Sequence, residues 1–546
     1  MTLLLLFSGS VSDGIRLEMQ FSGSSGIWTD VWPDVRMDVP VNVSYGISGV
    51  GPMDHIAETG TMAFALDNSQ ANSAKTLGYY APGSASARSG FDIGIRTRLI
   101  ISYSGSSFYK FFGTLQEATP EAGQWDSRRT HCIATDWMDE AANHQLKLIG
   151  LQTDQTTGQL ISTIVGNVVR PPVASTISTG QDAIKLAGDT WQDENKTAYG
   201  ALADITMSEW GYLYVKGDQT TGGVLQFDDR LARVRNTTVA ASLTDETHSD
   251  MEVSRVRENI LNRFNVQTHP RATDVPPATC TLYMLENSVF IAANTTASIV
   301  GNYTDPLEFS KRVGGGSMIT PSPGTDWTFG SEDVKVSVVT GCDLRNKGRT
   351  IVAASNLSGI NMSSALTVST SYGANSVTYA FTNTCPNAHG YLTQLIARGR
   401  GLYDYNPMTY LAESASSQAQ YGLRTLPIDL PLQSNQNVGA DIANYLLSWY
   451  KTPQYTLNRV EFFGSTAALL AAGLQIEPGN RVSITESATG INQVCFVNGV
   501  DMEITLGNTP GGFGLIKFAL AVYQADTTVY WTLDSGALGT DTVLGW

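Results

Sequence analysis

Two hydrophobic periodicities alternate along the chain, and each predicts a different kind of element. Residues 98–103 and 108–115 are rich in apolar and β-branched side chains, as expected for strands, and the Ser-Gly-Ser-Ser stretch between them predicts a hairpin turn. The following RRTHCIATDWMDEAANHQL passes into a helical pattern, with Asp136 at the N-cap position and Asp139 and Glu140 in the first turn. Acidic residues favour that end of a helix, so this N-terminal part is predicted to be strands closed by a helix.

Three later stretches place their apolar residues on one face of a helix. They lie within residues 156–168, 197–209 and 436–450. The apolar positions are Leu160, Ile161, Ile164, Val165 and Val168, then Ala198, Ala201, Leu202 and Ile205, then Val438, Ile442, Tyr445, Leu446 and Trp449. The second helix is expected to end near Trp210.

The stretch GYLYVKGDQTTGGVLQFDDR, residues 211–230, follows that helix and is rich in Gly, Asp and Thr. A calcium loop needs several carboxylates at alternating positions, whereas GDQTTGG supplies one. A phosphate-binding loop opens a helix, whereas this stretch has β-rich arms on both sides. The sequence therefore predicts a β-hairpin that packs on the preceding helix. Asp228–Arg230 is interpreted as a salt-bridged strand end rather than a catalytic group.

The remainder of the chain is again rich in β-like runs. Four short runs have the spacing of a small sandwich: VKVSVVTG, RTIVAAS, ALTVSTSYG and SVTYAFTN. A C-terminal hairpin is predicted by RVSITES and QVCFVNGVDMEITLG. Residues 313–330, VGGGSMITPSPGTDWTFG, predict a flexible surface loop. Leu3–Phe7 is interpreted as a first strand, because no basic residue precedes it and the run is too short for a secretion signal.

These patterns predict a mainly β fold with inserted α+β modules in a multi-domain chain. A chain of 546 residues is too long for one hydrophobic core. The predicted domains are 1–150, strands with a closing helix; 151–265, an α+β domain with the helix pair and the hairpin; 266–400, a β-sandwich-like domain; and 401–546, an α+β domain. No repeat of fixed period is evident in the sequence.

Charge and composition narrow the classes of function. Charged residues make up 15% of the chain, and the formal net charge is −16. This balance argues against a DNA-binding surface, which needs clustered Lys and Arg. No stretch approaches the length of a membrane span. Five scattered cysteines without CxxC spacing give neither a zinc signature nor a disulfide framework, and they favour assembly in a reducing cytoplasm.

No motif assigns a catalytic, cofactor-binding or metal-binding residue, so the sequence predicts none of these sites and no cofactor. GxSxG and HExxH are absent. His131 and Cys132 are adjacent, but neighbouring residues on a strand point to opposite faces and cannot form a dyad. The chain is therefore expected not to be an enzyme. A glycosidase needs only two carboxylates, so glycan cleavage stays open on this ground.

Several segments together resemble the tail hub proteins of tailed bacteriophages. They begin with TDVWPDVRMDVPVNVSYGISGVGPMDHIAETGTMAFALDN and FFGTLQEATPEAG, and continue with SEWGYLYVKGDQTTGGVLQFDDR, FTNTCPNAHGYLTQLIARGRG and YGLRTLPIDLPLQSNQNVGADIANYLLSWY. The last are NRVSITESATGINQVCFVNGV and the ending WTLDSGALGTDTVLGW. Each segment alone is weak, and it is their order along nearly the whole chain that carries the resemblance.

The resemblance implies a fold and a place in a virion. It implies tail-tube-like β-barrel or sandwich domains at residues 1–150 and 401–546. It also implies a ring, commonly a homotrimer, at the tail tip or baseplate. Such a hub joins the tail tube and the distal tail protein to the central fibre or tip protein, meets the tape-measure protein, and closes or gates the channel through which genomic DNA passes without specific binding. Some relatives carry a fused peptidoglycan-cleaving domain, which we do not expect here.

Two other classes of function remain as alternatives. A tail fibre or receptor-binding protein would be elongated and repetitive. A carbohydrate-binding or glycan-cleaving cell-surface protein would have an exposed groove with stacked aromatic residues. The sequence contains 10 Trp and 22 Tyr, which suit either a sugar-binding groove or contacts between subunits.

Overall fold

The computed structural model describes residues 14–21, 26–36, 38–123, 127–147, 149–189, 191, 195–273, 280–303, 313–330, 361–373, 375–506, 513–526, 530–531 and 543–544. The predicted first strand at Leu3–Phe7 and the predicted strands VKVSVVTG and RTIVAAS lie outside the described residues.

The N-terminal part forms strands and a short closing helix, as predicted. The elements are β1 (Gly14–Gln20), β2 (Thr29–Asp30), β3 (Val41–Gly46), β4 (Thr61–Asp67), β5 (Arg96–Tyr103), β6 (Ser106–Pro120), β7 (Arg129–Thr135) and α1 (Trp137–Asn143). Ser104 and Gly105 connect β5 to β6 with φ of 51° and 78°, the backbone that tight hairpins require. The Asp136 side chain accepts a hydrogen bond from the Met138 N–H, which confirms the predicted N-cap.

The next part holds the predicted helix pair and hairpin. Its elements are β8 (Gln152–Thr156), α2 (Thr157–Asn167), β9 (Ala174–Ile177), β10 (Ala183–Ala187), α3 (Ala198–Glu209), β11 (Tyr212–Lys216), β12 (Val224–Asp228) and α4 (Ala232–Arg235). Thr156 and Gln159 form a capping box at the start of α2. Helix α3 ends at Trp210, which has left-handed φ and ψ of 60° and 34°. The antiparallel pair β11–β12 confirms the predicted hairpin.

Strands β13 (Val239–Leu243) and β14 (Asp250–Ser254) follow, and a long segment then separates them from the final strands. Its elements are β15 (Arg263–Thr268), β16 (Arg271–Thr273), β17 (Cys280–Met284), β18 (Val289–Ile291), β19 (Thr296–Asn302), β20 (Val313–Ile319), β21 (Trp327–Gly330), β22 (Leu366–Tyr372), β23 (Ser376–Asn383), β24 (Gly390–Asp404), β25 (Met408–Glu413), α5 (Ala415–Tyr421), β26 (Thr425–Leu430) and α6 (Gln436–Tyr450).

Two sheets of this segment share one core. Strands β16, β17, β18, β20 and β21 all pair with β24, and β19-β23-β22 forms the second sheet. Buried Trp327, Phe329 and Phe381 lie in the core that both sheets contribute to. A separate sheet, β25-β15-β26, packs on α6.

The predicted surface loop at 313–330 is wrong, because most of it forms β20 and β21. Gly315 in β20 serves close packing rather than flexibility. A Cβ on Gly315 would lie 2.4 Å from the Tyr303 ring, and glycine in a strand allows such an approach.

The chain ends with β27 (Thr456–Phe463), α7 (Ala467–Gln475), β28 (Arg481–Glu486), β29 (Ile491–Leu506), β30 (Phe513–Gln524), β31 (Tyr530–Trp531) and β32 (Val543–Leu544). Strands β28 and β29 pair antiparallel, which confirms the predicted C-terminal hairpin. Gly490, with φ of 71°, lies in its turn.

One large sheet joins both ends of the chain. Its order is β14-β27-β30-β29-β3-β4-β7-β6-β5-β1-β2, and β28 and β13 extend from β29. The sheet contains two units with the same neighbour order. In the first unit, the N-terminal unit, the order is β1-β5-β6-β7-β4-β3; in the second, the C-terminal unit, it is β13-β28-β29-β30-β27-β14. Equivalent strands also follow each other in the same chain order, so the fold contains an internal repeat that the sequence does not display.

The structure confirms a mainly β, multi-sheet fold with α+β modules. In the part of the chain that is described, the pairing of the large sheet runs open from β14 to β2, and closed barrels stay a prediction. The boundaries at residues 150, 265 and 400 also stay predictions. The large sheet crosses all three boundaries, because β3, β13 and β14 join the same sheet as β27–β30. Among the described helices, none is long and apolar enough to cross a membrane.

Candidate functional site

The seam between the two units is built on a pair of glycines that face each other. Strands β3 and β29 pair antiparallel, and Gly46 lies opposite Gly499. A Cβ on Gly46 would lie 2.6 Å from the carbonyl oxygen of Asn498, and one on Gly499 would lie 2.7 Å from that of Ile47. Gly46 also has φ of +94°, which disfavours any side chain. The two units can therefore approach this closely only through glycine.

Asn498, next to this pair, connects three separate parts of the chain. Its carbonyl accepts the Ile47 N–H at 2.8 Å, and its Nδ2 donates to the carbonyl of Gly49 at 2.8 Å. Its Oδ1 accepts from Nη1 of Arg233 at 2.8 Å. Because Asn498 is 1% exposed, these bonds form where water does not compete. The N-terminal unit, α4 and the C-terminal unit all meet at this side chain.

Arg233 is a buried cation held by aromatic rings and a carboxylate. Its guanidinium carbon lies 3.7 Å from the Tyr212 ring centroid, and its Nε lies 3.6 Å from Oδ2 of Asp228. Asp228 in turn accepts from the Tyr214 hydroxyl at 2.6 Å. A buried arginine needs such partners, because desolvating an isolated charge is costly. We name Gly46, Asn498, Gly499 and Arg233 the arginine junction.

His55 packs on Tyr212, the ring that Arg233 contacts, and is uncharged at neutral pH. Its ring stacks on Tyr212 with centroids 4.6 Å apart and packs against Trp210 at 4.4 Å. Nδ1 lies 2.7 Å from the carbonyl oxygen of Gly211. Burial lowers the pKa of His55 to about 4, since the interior disfavours the charged form. His55 therefore contributes a neutral ring to the packing around Trp210, the residue that ends α3.

A second connection, the lysine junction, joins the two units to the β11–β12 hairpin. Lys110 of β6 is fully buried, and its Nζ lies 2.5 Å from Oε1 of Glu477. Nζ also donates to the carbonyls of Leu474 and Ile476, each at 3.2 Å. Oε2 of Glu477 accepts the N–H of Gly217 in the hairpin at 2.9 Å. Lys110, Glu477 and Gly217 thereby fasten the two units and the hairpin together.

The hairpin tip docks on the chain's own N-terminal unit. Asp218 forms a backbone bridge with Tyr109 of β6, and its Oδ1 accepts the N–H groups of Thr220, Thr221 and Gly222. The Asp218 carboxylate is thus used within the turn itself. The Gly- and Asp-rich stretch therefore shapes a contact inside the molecule.

The strand end Asp228–Arg230 carries ion pairs, as interpreted from the sequence. Nη1 of Arg230 lies 2.7 Å from Oδ2 of Asp182 and 3.7 Å from Oε1 of Glu209. Burial raises the pKa of Glu209 to about 7. Its carboxylate accepts hydrogen bonds from Oγ1 of Thr157 at 3.3 Å and from the Gln181 N–H at 2.9 Å, and the Arg230 guanidinium at 3.7 Å offsets the burial only in part. This cluster fixes the end of α3 against the hairpin.

The arginine junction borders a cavity of about 130 Å³ whose wall includes Tyr445, Trp449 and Tyr523. A second, more open cleft of about 390 Å³ lies beside Trp137 and Arg170. His131 contacts Glu121 at 3.0 Å, whereas Cys132 is buried in the core, so the two point to opposite faces as predicted. Within the described ranges, no group of three or more His, Cys, Asp or Glu side chains is placed to hold a metal.

Sequence patterns located the hairpin and the helices but not the residues that join the units. Lys110 lies in β6, Arg233 in the short helix α4 and Asn498 in β29. The bonds that join the units connect these residues to partners far away in the chain. The one local sign of a junction residue in the sequence is the lysine inside the apolar strand run YKFF, because a lysine is seldom buried without a partner.

Comparison with known proteins gives structural similarity alone. No family model and no curated protein matches the sequence. Three solved structures are similar over 93% of this chain: a tail protein from Neisseria meningitidis at 10% identity (96% of that chain, TM-score 0.44), the 43 kDa tail protein of prophage MuSo2 from Shewanella oneidensis at 8% (98%, 0.43), and a prophage tail protein from Listeria monocytogenes at 10% (94%, 0.38). At these identities and TM-scores, no function follows from the similarity.

Proposed function

We propose that this chain is a structural protein of a bacteriophage tail, acting as the hub at the distal end of the tail tube. Three copies form a ring that joins the tube and the distal tail protein to the central fibre or tip protein. The ring also meets the tape-measure protein and closes or gates the DNA channel. The resemblance of the ordered sequence segments motivates this proposal.

The observation that carries the proposal is the pair of similar sheet units, which are joined by the pairing of β3 with β29. Two similar units fixed side by side form one building block, and in a ring three such chains supply six units around one axis. The arginine junction and the lysine junction keep the two units in one orientation. Rigid coupling of this kind suits a part that must transmit load without opening.

Charge supports passage of DNA rather than capture. With a net charge of −16, a ring of these chains repels phosphate unless Lys and Arg concentrate on its inner wall. We therefore propose that the channel lining carries no basic stripe. We also propose that the chain performs no catalysis, since the buried groups of both junctions are used in holding its parts together.

Cryo-electron microscopy of the purified chain, alone and with its distal tail protein, tests the proposal. We expect a ring of three copies with a continuous channel, and no hydrolysis of peptidoglycan or surface glycans by the same sample. A chain that is monomeric under all conditions and does not bind the distal tail protein would overturn the hub. Binding in a glycan array, with no ring, would favour the carbohydrate-binding alternative, and an elongated particle that binds host cells would favour a fibre.

A further inference from the structure

One edge of the sheet β25-β15-β26 is open and apolar. Strand β25 pairs with β15 on one side, and on its other side no strand pairs with it among the described residues. Its side chains Met408, Tyr410 and Leu411 are 45%, 39% and 49% exposed. An edge strand offers a row of unpaired backbone N–H and C=O groups to another chain. Exposed apolar side chains on such an edge strengthen the attraction.

The opposite edge of the same sheet differs. It is formed by β26, which carries Pro427. Proline has no N–H to donate, and proteins use it on edges to prevent pairing. Strand β25 contains neither proline nor lysine, the usual protections. One edge of this sheet is therefore protected and the other is left able to pair.

The charge of the strip identifies the partner. Residues 405–412, YNPMTYLA, are uncharged, and the neighbouring Glu413 is neutralised by Arg263, with Nη2 2.7 Å from Oε2. Copies that each carry a net charge of −16 repel wherever their acidic surfaces face each other. An uncharged strip with an open edge is where two copies can approach at least electrostatic cost.

We infer that β25 pairs through its open edge with a strand of a second copy of this chain, extending the three-stranded sheet across the boundary between subunits. In this mode the main-chain hydrogen bonds hold the contact, and the exposed side chains select the partner. The inference rests on the self-assembly in the proposed function and names the surface responsible for it.

Substitution Leu411→Lys tests the side-chain part. Ala412 of β25 is buried in the core with α6, so Leu411, one residue earlier, lies on the face away from the helix and its replacement leaves that packing intact. A charge at this edge should weaken self-association about tenfold or more, measured by mass photometry across a dilution series. Val169→Lys is the matched control, because Val169 is 84% exposed and lies far from β25 in the sequence. Circular dichroism confirms that both variants are folded.

Hydrogen exchange tests the backbone part directly. Amides of residues 408–413 should exchange several-fold more slowly in the assembled protein than in the diluted monomer, because half of them face the open edge. This inference is wrong if an oligomer forms with unchanged exchange at 408–413, or if its association responds equally to Leu411→Lys and Val169→Lys. Neither result contradicts the proposed ring. A chain that stays monomeric at every concentration overturns the ring and the inference together.

Discussion

The N-terminal and C-terminal units share a strand order but differ in how the chain builds them. The N-terminal unit is continuous from β1 to β7, whereas the C-terminal unit is interrupted between β14 and β27 by residues 255–455. The equivalent connection in the N-terminal unit, between β3 and β4, is the short segment 47–60. The same position in the repeat thus carries a long insertion in one unit and a seam contact in the other.

The first strand of each unit differs as well. Strand β1 pairs antiparallel with β5, whereas β13 pairs parallel with β28. The strands β5-β6-β7-β4-β3 and β28-β29-β30-β27-β14 are antiparallel throughout in both. Five antiparallel strands are therefore common to both units, whereas the outer strand and one connection differ between them.

The largest expected effect comes from breaking the seam with Gly46→Ala. A Cβ there meets the carbonyl of Asn498 at 2.6 Å, and φ is +94°, so the variant should lose about 3–5 kcal/mol of unfolding free energy. Gly105→Ala is the control, because Gly105 has φ of +78° and nothing within 4 Å. It should lose about 1 kcal/mol. Equal losses in denaturant titrations would show that the close contact at the seam contributes nothing.

The next effect comes from Lys110→Met at the lysine junction. Removing the cation leaves Glu477, whose side chain is 13% exposed, without its charge partner, and such losses cost about 3 kcal/mol. Lys185→Met removes an exposed pair with Asp154 and should cost at most about 1 kcal/mol. The double variant Lys110→Met with Glu477→Gln should recover part of the loss. A double variant as unstable as the single one would contradict a charge-based role.

A smaller effect concerns the contact between α3 and the hairpin, tested by Glu209→Gln. The pKa of Glu209 is about 7 in the folded protein against 4.5 for the ordinary side chain. A raised pKa gives a stabilising contribution that is complete below pH 4.5 and is lost as the pH rises through 7. The variant should therefore gain about 1–3 kcal/mol relative to the wild type between pH 4.5 and pH 8. Thermal unfolding across this range measures the gain, and a pH-independent difference would contradict it.

Local patterns predicted local structure, and pairing at long range escaped them. The hairpin at 211–230 and helix α6 follow from turn residues and from helical periodicity within a few turns of chain. The pairing of β3 with β29 joins residues 41–46 to 499–504, and no local pattern specifies it. The loop expected at 313–330 was wrong for a different reason. Position 315 is glycine because the Tyr303 ring leaves no room for a side chain, and the sequence around it does not reveal this contact.

The smallest effect tests the equivalence of the two units themselves. Gly105 lies in the turn before β6 and Gly490 in the turn before β29, with φ of +78° and +71°, and a Cβ on either meets nothing within 4 Å. If the units are equivalent, Gly105→Ala and Gly490→Ala pay only the left-handed backbone cost and should each lose about 1 kcal/mol. Chemical denaturation of both variants, with the wild type as reference, gives the comparison. Because a Cβ meets open space at both positions, each variant should still unfold in a single transition. A second, separate transition in either variant would mean that the two units do not unfold as one cooperative block and that the junctions couple them less tightly than their geometry indicates.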